Sequence, residues 1–158
     1  MNAMLKPAVH LAPLTEALLD GVLRIEKSVY THPWTRDNFA NTLKFKYDYQ
    51  LLAQALLDGD TMIGYFMALE GVEEVHLLNI TVAPQFQGQG YAVLMLDALS
   101  VWARSRQAQW LWLEVRVGNT RAMQVYERYG YRRVGERKNY YPADHGQREH
   151  AVVMSLKL

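Results

Sequence analysis

Hydrophobic positions along this chain change period several times, and each change marks an element. Val9-His10-Leu11-Ala12 reads as a short first strand ahead of Pro13. Leu18, Val22, Ile25 and Val29 then recur at helical spacing, which predicts an amphipathic helix over 14–30 that Gly21 weakens a little. His32-Pro33-Trp34 breaks the pattern, and Thr35 can cap a second helix that buries Phe39 and Leu43, four residues apart. Alternation of Tyr49, Leu51 and Ala53 predicts a strand over 48–57, Asp58-Gly59-Asp60 a hairpin turn, and Met62 to Leu69 the returning strand. Gly71 marks another turn, and Val75 to Val82 forms a fourth strand interrupted by the polar Asn79.

From Ile80 the chain passes through a Pro84-started turn into the Gly-punctuated loop Gln85-Phe86-Gln87-Gly88-Gln89-Gly90-Tyr91-Ala92. Ala92, Met95, Leu96, Leu99, Trp102 and Ala103 then form a helical stripe, predicting a helix over 90–105 against the sheet. Trp110 to Val117 is nearly continuous in apolar residues, as expected of a central strand covered on both faces. Asn119 can cap a further helix that Gly130 ends. Tyr131 to Val134 starts a strand, Asn139-Tyr140-Tyr141-Pro142 to Gly146 reads as a loop, and Ala151 to Leu156 is the last strand. The order predicts a mixed α/β fold over residues 1–158 as one domain, with strand-helix-strand units near 75–117 and 110–138 that can form right-handed crossovers.

Composition narrows the classes. A chain of 158 residues, 50% hydrophobic and 21% charged, has the balance of a globular domain with a real core. A formal net charge of +1 is too weak a field for general nucleic-acid or membrane binding. The absence of cysteine excludes disulfides, thiolate metal sites and cysteine nucleophiles. No apolar run approaches ~18 residues and Met1 to Pro7 lacks a signal-peptide core, so a soluble cytoplasmic protein is the default expectation.

Strand, glycine loop and helix start, in that order, make an anion cradle. Glycines let the backbone approach closely, and the first free N–H groups of the helix point at the anion. The pattern Gln/Arg-x-x-Gly-x-Gly/Ala fits from Gln85 and again from Gln87; the second phase places the small Ala92 in the first helical turn and is preferred. A flexible turn is the bland alternative. No Gly-x-x-x-x-Gly-Lys-Ser/Thr is present, which excludes a P-loop hydrolase.

Strand alternation puts Trp110, Trp112, Glu114 and Arg116 on one face. A carboxylate there is either a general base, its pKa raised by burial, or half of an ion pair with Arg116 or another cation. Tyr126 follows Asn119 by seven residues, two helical turns, and so shares its side; it is either a proton donor or a core tyrosine. Asn79 marks either a bulge or irregular pairing, which would free backbone groups for a ligand, or an ordinary strand Asn bonded to a neighbour. The five histidines lack ligand spacing, so no metal is expected, and no serine sits on a nucleophile elbow.

Taken together these pieces resemble the GCN5-related N-acetyltransferase (GNAT) superfamily over about Ile25 to Met154. They are closest to its ribosomal-protein-alanine N-acetyltransferase (RimI-type) branch. The stretches that carry the likeness are His32-Pro33-Trp34-Thr35 with Phe39, Asn79-Ile80-Thr81-Val82, Trp112-Leu113-Glu114-Val115-Arg116 with Asn119, Val125-Tyr126-Glu127, and Arg137-Lys138-Asn139-Tyr140-Tyr141-Pro142 with Gly146 and Glu149. The resemblance implies the GNAT fold, a mixed sheet of seven strands with four helices, matching the strands and helices read above.

The resemblance also implies an activity. Acetyl-CoA would be the cosubstrate, and the acceptor the N-terminal α-amine of a protein, the alanine of a small-subunit ribosomal protein, attacked directly in a ternary complex. Glu114 would be the general base and Tyr126 the general acid. Ile80, Thr81 and Val82 would bond the pantetheine and thioester. Gly88, Gln89, Gly90, Tyr91, Ala92 and Val93 would hold the pyrophosphate, Asn119 would contact the cofactor, and Tyr140 and Tyr141 would lie by the peptide N-terminus.

Two departures stand out. Val115-Arg116-Val117-Gly118-Asn119 lacks the branch's common Ser before the Asn, and Gly88 and Ala92 replace a basic residue and a glycine. One cation near the phosphates is therefore expected to be lost. The acidic run Glu70, Glu73 and Glu74 is either a solvated turn or an attraction for a basic peptide. A lysine side chain or small polyamine as acceptor, and an acetyl-CoA-binding module without catalysis, remain the alternatives.

Overall fold

The computed structural model describes residues 8–44 and 50–158; Tyr49, with the start of the predicted second strand, lies outside the described residues. Strand β1 (Val9–Pro13) leads through a short 3₁₀ turn at Glu16–Leu18 into helix α1 (Leu19–Val29), and α2 (Arg36–Lys44) follows. Strands β2 (Leu51–Asp58), β3 (Thr61–Glu70) and β4 (Glu74–Val82) form an antiparallel meander, β2 and β3 turning at Gly59-Asp60. Helix α3 (Tyr91–Ser105), strand β5 (Trp110–Arg116), helix α4 (Thr120–Tyr129) and strands β6 (Arg132–Pro142) and β7 (Arg148–Lys157) complete the chain.

The seven strands form one sheet in the order β1-β2-β3-β4-β5-β7-β6. The β4–β5 pair is parallel, and the other neighbours are antiparallel. Parallel strands need a crossover, and α3 supplies it. After β5 the chain crosses again through α4, and β7 slots between β5 and β6 by pairing with both.

Alternation along the strands gives each face its own helices. Tyr65 and Met67 of β3 turn to one face and meet Leu19, Val22 and Leu23 of α1 with Phe39 and Leu43 of α2. Phe66 and Ala68 turn to the other and join Met95, Leu96 and Leu99 of α3, Met123 of α4, and Leu111, Leu113 and Val115 of β5. The first helix starts later than predicted because Thr15 leads into a 3₁₀ turn. Thr35 caps α2 as expected: its hydroxyl accepts from the Asn38 N–H at 3.1 Å, and Asn38 Oδ1 accepts from the Thr35 N–H at 3.0 Å.

Two predictions need correction. Strand β5 is buried on alternate residues only, so it is not uniformly covered; Trp110 is 42% exposed. Residues Asn139 to Pro142 belong to β6 rather than to a loop. Their turn-forming composition is absorbed by a bulge, with Asn139 at φ 53° and a register shift between Arg137 and Tyr141. An edge strand tolerates both the bulge and a terminal proline.

Candidate active site

The site begins with a failure of strand pairing. Strands β4 and β5 pair only from Glu74–Trp110 to Leu77–Leu113, although both run on. At that point Leu78 is an extra residue in β4, since Met67 faces Asn79 and Ala68 faces Leu77. A bulge increases local twist, and beyond this one the two strands part. The irregularity expected at Asn79 is present, one residue earlier.

A buried carboxylate holds the bulge. Glu26 on α1 is 1% exposed. Its Oε1 accepts from the Tyr65 hydroxyl at 2.6 Å and Asn79 Nδ2 at 3.1 Å, and its Oε2 accepts from the Trp34 N–H at 2.8 Å. Buried charge is tolerated when donors replace water, and here three do. The network extends outward: the Thr81 hydroxyl donates to Asn79 Oδ1 at 2.8 Å and shares a 2.8 Å hydrogen bond with the Tyr30 hydroxyl. Burial, helped by the Glu26 charge and partly offset by the Thr81 bond, pushes the Tyr30 phenol up to about 12.

The parted strands open two connected chambers. The larger, about 1010 Å³, runs from the end of β4 past the glycine loop to the face of α4. The smaller, about 330 Å³, lies among Glu26, Trp34, Asn79, Glu114 and Tyr141. Ile80, Arg116, Asn119 and Tyr126 border both. The Ile80 carbonyl is contacted by the Tyr30 hydroxyl and the Val82 carbonyl by Gln87 Nε2, so neither points to β3. A strand residue turns its N–H and C=O to the same side, so the Ile80 and Val82 amides face the opening.

The glycine loop forms one wall. Gly88 and Gly90 have φ of 75° and 87°, a region favourable to glycine. Gly90 caps α3 without a side-chain bond, so the N–H groups of Tyr91, Ala92 and Val93 at the first helical turn have no partner within the helix. This start agrees with the phase that places Ala92 inside the first turn. Gly88, Gly90, Tyr91, Ala92 and Val93 line the larger chamber; Gln89 does not, and its amide donates to the Gln85 carbonyl at 3.3 Å.

Glu114 reaches the smaller chamber from β5, with its side chain 6% exposed. Its ion-pair partner is not Arg116. His76 Nε2 lies 2.6 Å from Oε2 and Arg137 Nε 3.4 Å from Oε1. His76 is fixed by stacking on Trp112, 3.6 Å between centroids and 7° from parallel. Arg116 instead pairs with Glu149 and donates to the Pro142 carbonyl. Gly118 is explained by the same Glu149, whose Oε2 accepts from the Gly118 N–H at 2.8 Å and would sit 2.7 Å from any added Cβ.

Tyr126 stands on α4 between the chambers. Burial raises its phenol well above the ordinary value, and neighbouring Tyr30, Tyr131 and Tyr141 add to the effect. The phenol therefore stays protonated at neutral pH, as a hydrogen-bond donor must. Asn119 caps α4 through its Oδ1, which accepts from the Ala122 N–H at 3.2 Å. Tyr141 lines the smaller chamber, whereas Tyr140 lines neither and is 40% exposed.

Sequence reasoning missed Glu26, Tyr30, His76 and Arg137. Glu26 abuts the apolar stripe of α1 and reads as helix surface. His76 and Glu114 are 38 residues apart and meet only because β4 pairs with β5.

Comparison with known proteins identifies the family. The Acetyltransferase (GNAT) family profile matches residues 19–131. The [ribosomal protein bS18]-alanine N-acetyltransferase of Haemophilus ducreyi is 35% identical over 92% of this chain and 97% of its own length. The enzyme of the same name from Haemophilus influenzae is 37% identical over 85% and 88%. The crystal structure of the ribosomal-protein-S18-alanine N-acetyltransferase from Escherichia coli superposes with a TM-score of 0.83 at 30% identity, covering 94% of this chain and 93% of that one. Ard1 from Thermoplasma volcanium shares the fold, with a TM-score of 0.83 at 20% identity.

Proposed function

The chain belongs to the GNAT acetyltransferase family, in its ribosomal-protein-alanine N-acetyltransferase branch, and from that membership we infer that it acetylates the N-terminal alanine of ribosomal protein bS18. It is an N-acetyltransferase, and acetyl-CoA is the acyl donor. The observation that carries the reading within this structure is the pair of chambers meeting at Tyr126, with a carboxylate in the smaller and a glycine-lined helix start in the larger.

The residues fit the donor. The larger chamber has the volume for a cofactor-sized ligand, and its open β4 edge and free helix amides match an elongated molecule with an amide arm and phosphates. Acetyl-CoA supplies an activated acyl group as a thioester. The Ile80 and Val82 backbone would bind the pantetheine arm, with Thr81 held behind them. The amides of Gly88 to Val93 would take the diphosphate through backbone, Gln89 contributing no side chain to the wall, and Asn119 would border the arm.

The acceptor amine enters through the smaller chamber, where Glu114 takes its proton directly or through water. A neutral amine is the nucleophile, so this proton transfer is required at physiological pH. The Val82 N–H faces the opening and donates to the reacting carbonyl. Tyr126 donates a hydrogen bond to the departing sulfur. A phenol is already a weaker acid than a thiol and burial widens the gap, so Tyr126 hydrogen-bonds the departing thiolate, and the second proton, which the attacking nitrogen sheds as the C–N bond forms and the C–S bond breaks, leaves through water. Tyr141 shapes the chamber that receives the first residue, with Tyr140 further out.

Purified protein incubated with acetyl-CoA and a bS18 N-terminal peptide should gain one acetyl group on the α-amine, read by tandem mass spectrometry. A matched peptide with a blocked N-terminus and a free lysine should gain none. Modification of the lysine peptide alone would overturn the acceptor assignment.

A further inference from the structure

A diphosphate needs cations as well as amides, and the glycine loop from Gln85 to Gly90 contains none. The structure places one there from another element. Arg121, in the first turn of α4, lines the larger chamber and reaches the loop. Its Nη2 lies 3.8 Å from where a Cβ on Gly88 would stand, and its Nη1 donates to Gln87 Oε1 at 3.2 Å. Among the described residues it makes no ion pair, unlike Arg116, Arg133 and Arg137, each matched to a carboxylate. The absent side chain at Gly88 leaves room for the guanidinium to come down onto the loop.

We propose that Arg121 is a cofactor-binding residue that supplies the positive charge for the diphosphate of acetyl-CoA, in place of a cation carried by the loop. This rests on the larger chamber being the acetyl-CoA site. The loop and helix amides of Gly88 to Val93 would take the diphosphate, with the Arg121 guanidinium beside them on the same wall. A guanidinium presents paired donors to phosphate oxygens, and the Gln87 contact keeps the side chain extended along the chamber wall in advance of binding. Compensation of this kind is possible because α4, capped by Asn119, starts at Thr120, a short turn after the end of β5 at Arg116, which borders both chambers. The loop can then lose its own cation without losing charge at the site.

Isothermal titration calorimetry with CoA and with dephospho-CoA, which keeps the diphosphate and lacks the 3′-phosphate, tests the assignment without turnover. Arg121→Gln should weaken both ligands roughly tenfold. Arg121→Lys, a point charge without the fork, should fall between wild type and Arg121→Gln, and the differences should narrow with added salt. Both variants are surface changes, and unaltered unliganded melting curves establish that they fold. Equal affinities for wild type and Arg121→Gln would overturn the proposal. A loss seen with CoA and absent with dephospho-CoA would overturn it too, by moving Arg121 to the 3′-phosphate. Wild-type protein that bound neither ligand would instead bring down the acetyl-CoA reading of the chamber, and the proposal with it.

Discussion

At the scale of single residues, the carboxylate proposed as the base, Glu114, is held by two neighbours. His76 Nε2 lies 2.6 Å from Oε2 and Arg137 Nε 3.4 Å from Oε1. What they supply is orientation, since a side chain locked at both oxygens waits in one geometry. Removal of Glu114 and removal of its support should therefore differ. Glu114→Gln should lower kcat roughly 10²-fold or more, the usual scale for loss of a general base. His76→Ala should lower kcat about tenfold and leave the peptide KM nearly unchanged, because His76 lines neither chamber. His76→Gln, which keeps a donor, should recover part of that loss in steady-state kinetics. An unchanged kcat in His76→Ala would remove the orienting role. Glu114 itself was legible in the sequence as a carboxylate in an apolar strand; its partners were not, because strand pairing across 38 residues leaves no local signal.

At the scale of elements, the bulge in β4 creates the site, and α1 maintains it. Glu26 accepts hydrogen bonds from β3, β4 and the segment before α2, so one buried carboxylate joins three pieces of chain. Glu26→Ala leaves the Tyr65 hydroxyl, Asn79 amide and Trp34 N–H without their acceptor. Each buried unsatisfied donor costs about 1–3 kcal/mol, so urea unfolding should show a loss of at least ~2 kcal/mol. The same change should raise the peptide KM, because Trp34 and Asn79 wall the smaller chamber. The elements themselves were legible because period 2 and period 3.6 stripes are clean in this chain. Asn79 announced irregular pairing, yet nothing local said that β5 would be the strand to part. The last residues of β6, Asn139 to Pro142, read as a loop because Asn139 and Pro142 are turn residues, and only the strand's edge position in the sheet lets them stay in it.

At the scale of the whole molecule, the parted strands lie in the middle of the sheet with helices on both faces, so the cleft opens inside the fold and is lined with buried phenols. Burial raises Tyr30, Tyr65, Tyr126, Tyr131 and Tyr141 together. This links the architecture of the site to alkaline stability. The unfolded chain gives up a phenolic proton near its ordinary value of 10.0, whereas the folded chain holds that of Tyr30 to about 12. Below 10.0 both states carry the proton and stability owes nothing to pH through these groups. As pH rises above it, the unfolded state binds fewer protons than the folded one, and the linkage slope turns negative. Stability should fall across the window from 10.0 to about 12, by up to about 1.4 kcal/mol per pH unit for each fully buried phenol and less for Tyr30, which borders a chamber. Urea midpoints measured across that window, with tyrosinate absorbance as the second readout, should decline together. Tyr30→Phe should make the decline shallower. A variant whose midpoints fell as steeply as wild type would show that the Tyr30 phenol ionises equally readily folded and unfolded, and that the Thr81–Asn79–Glu26 chain does not keep water from it.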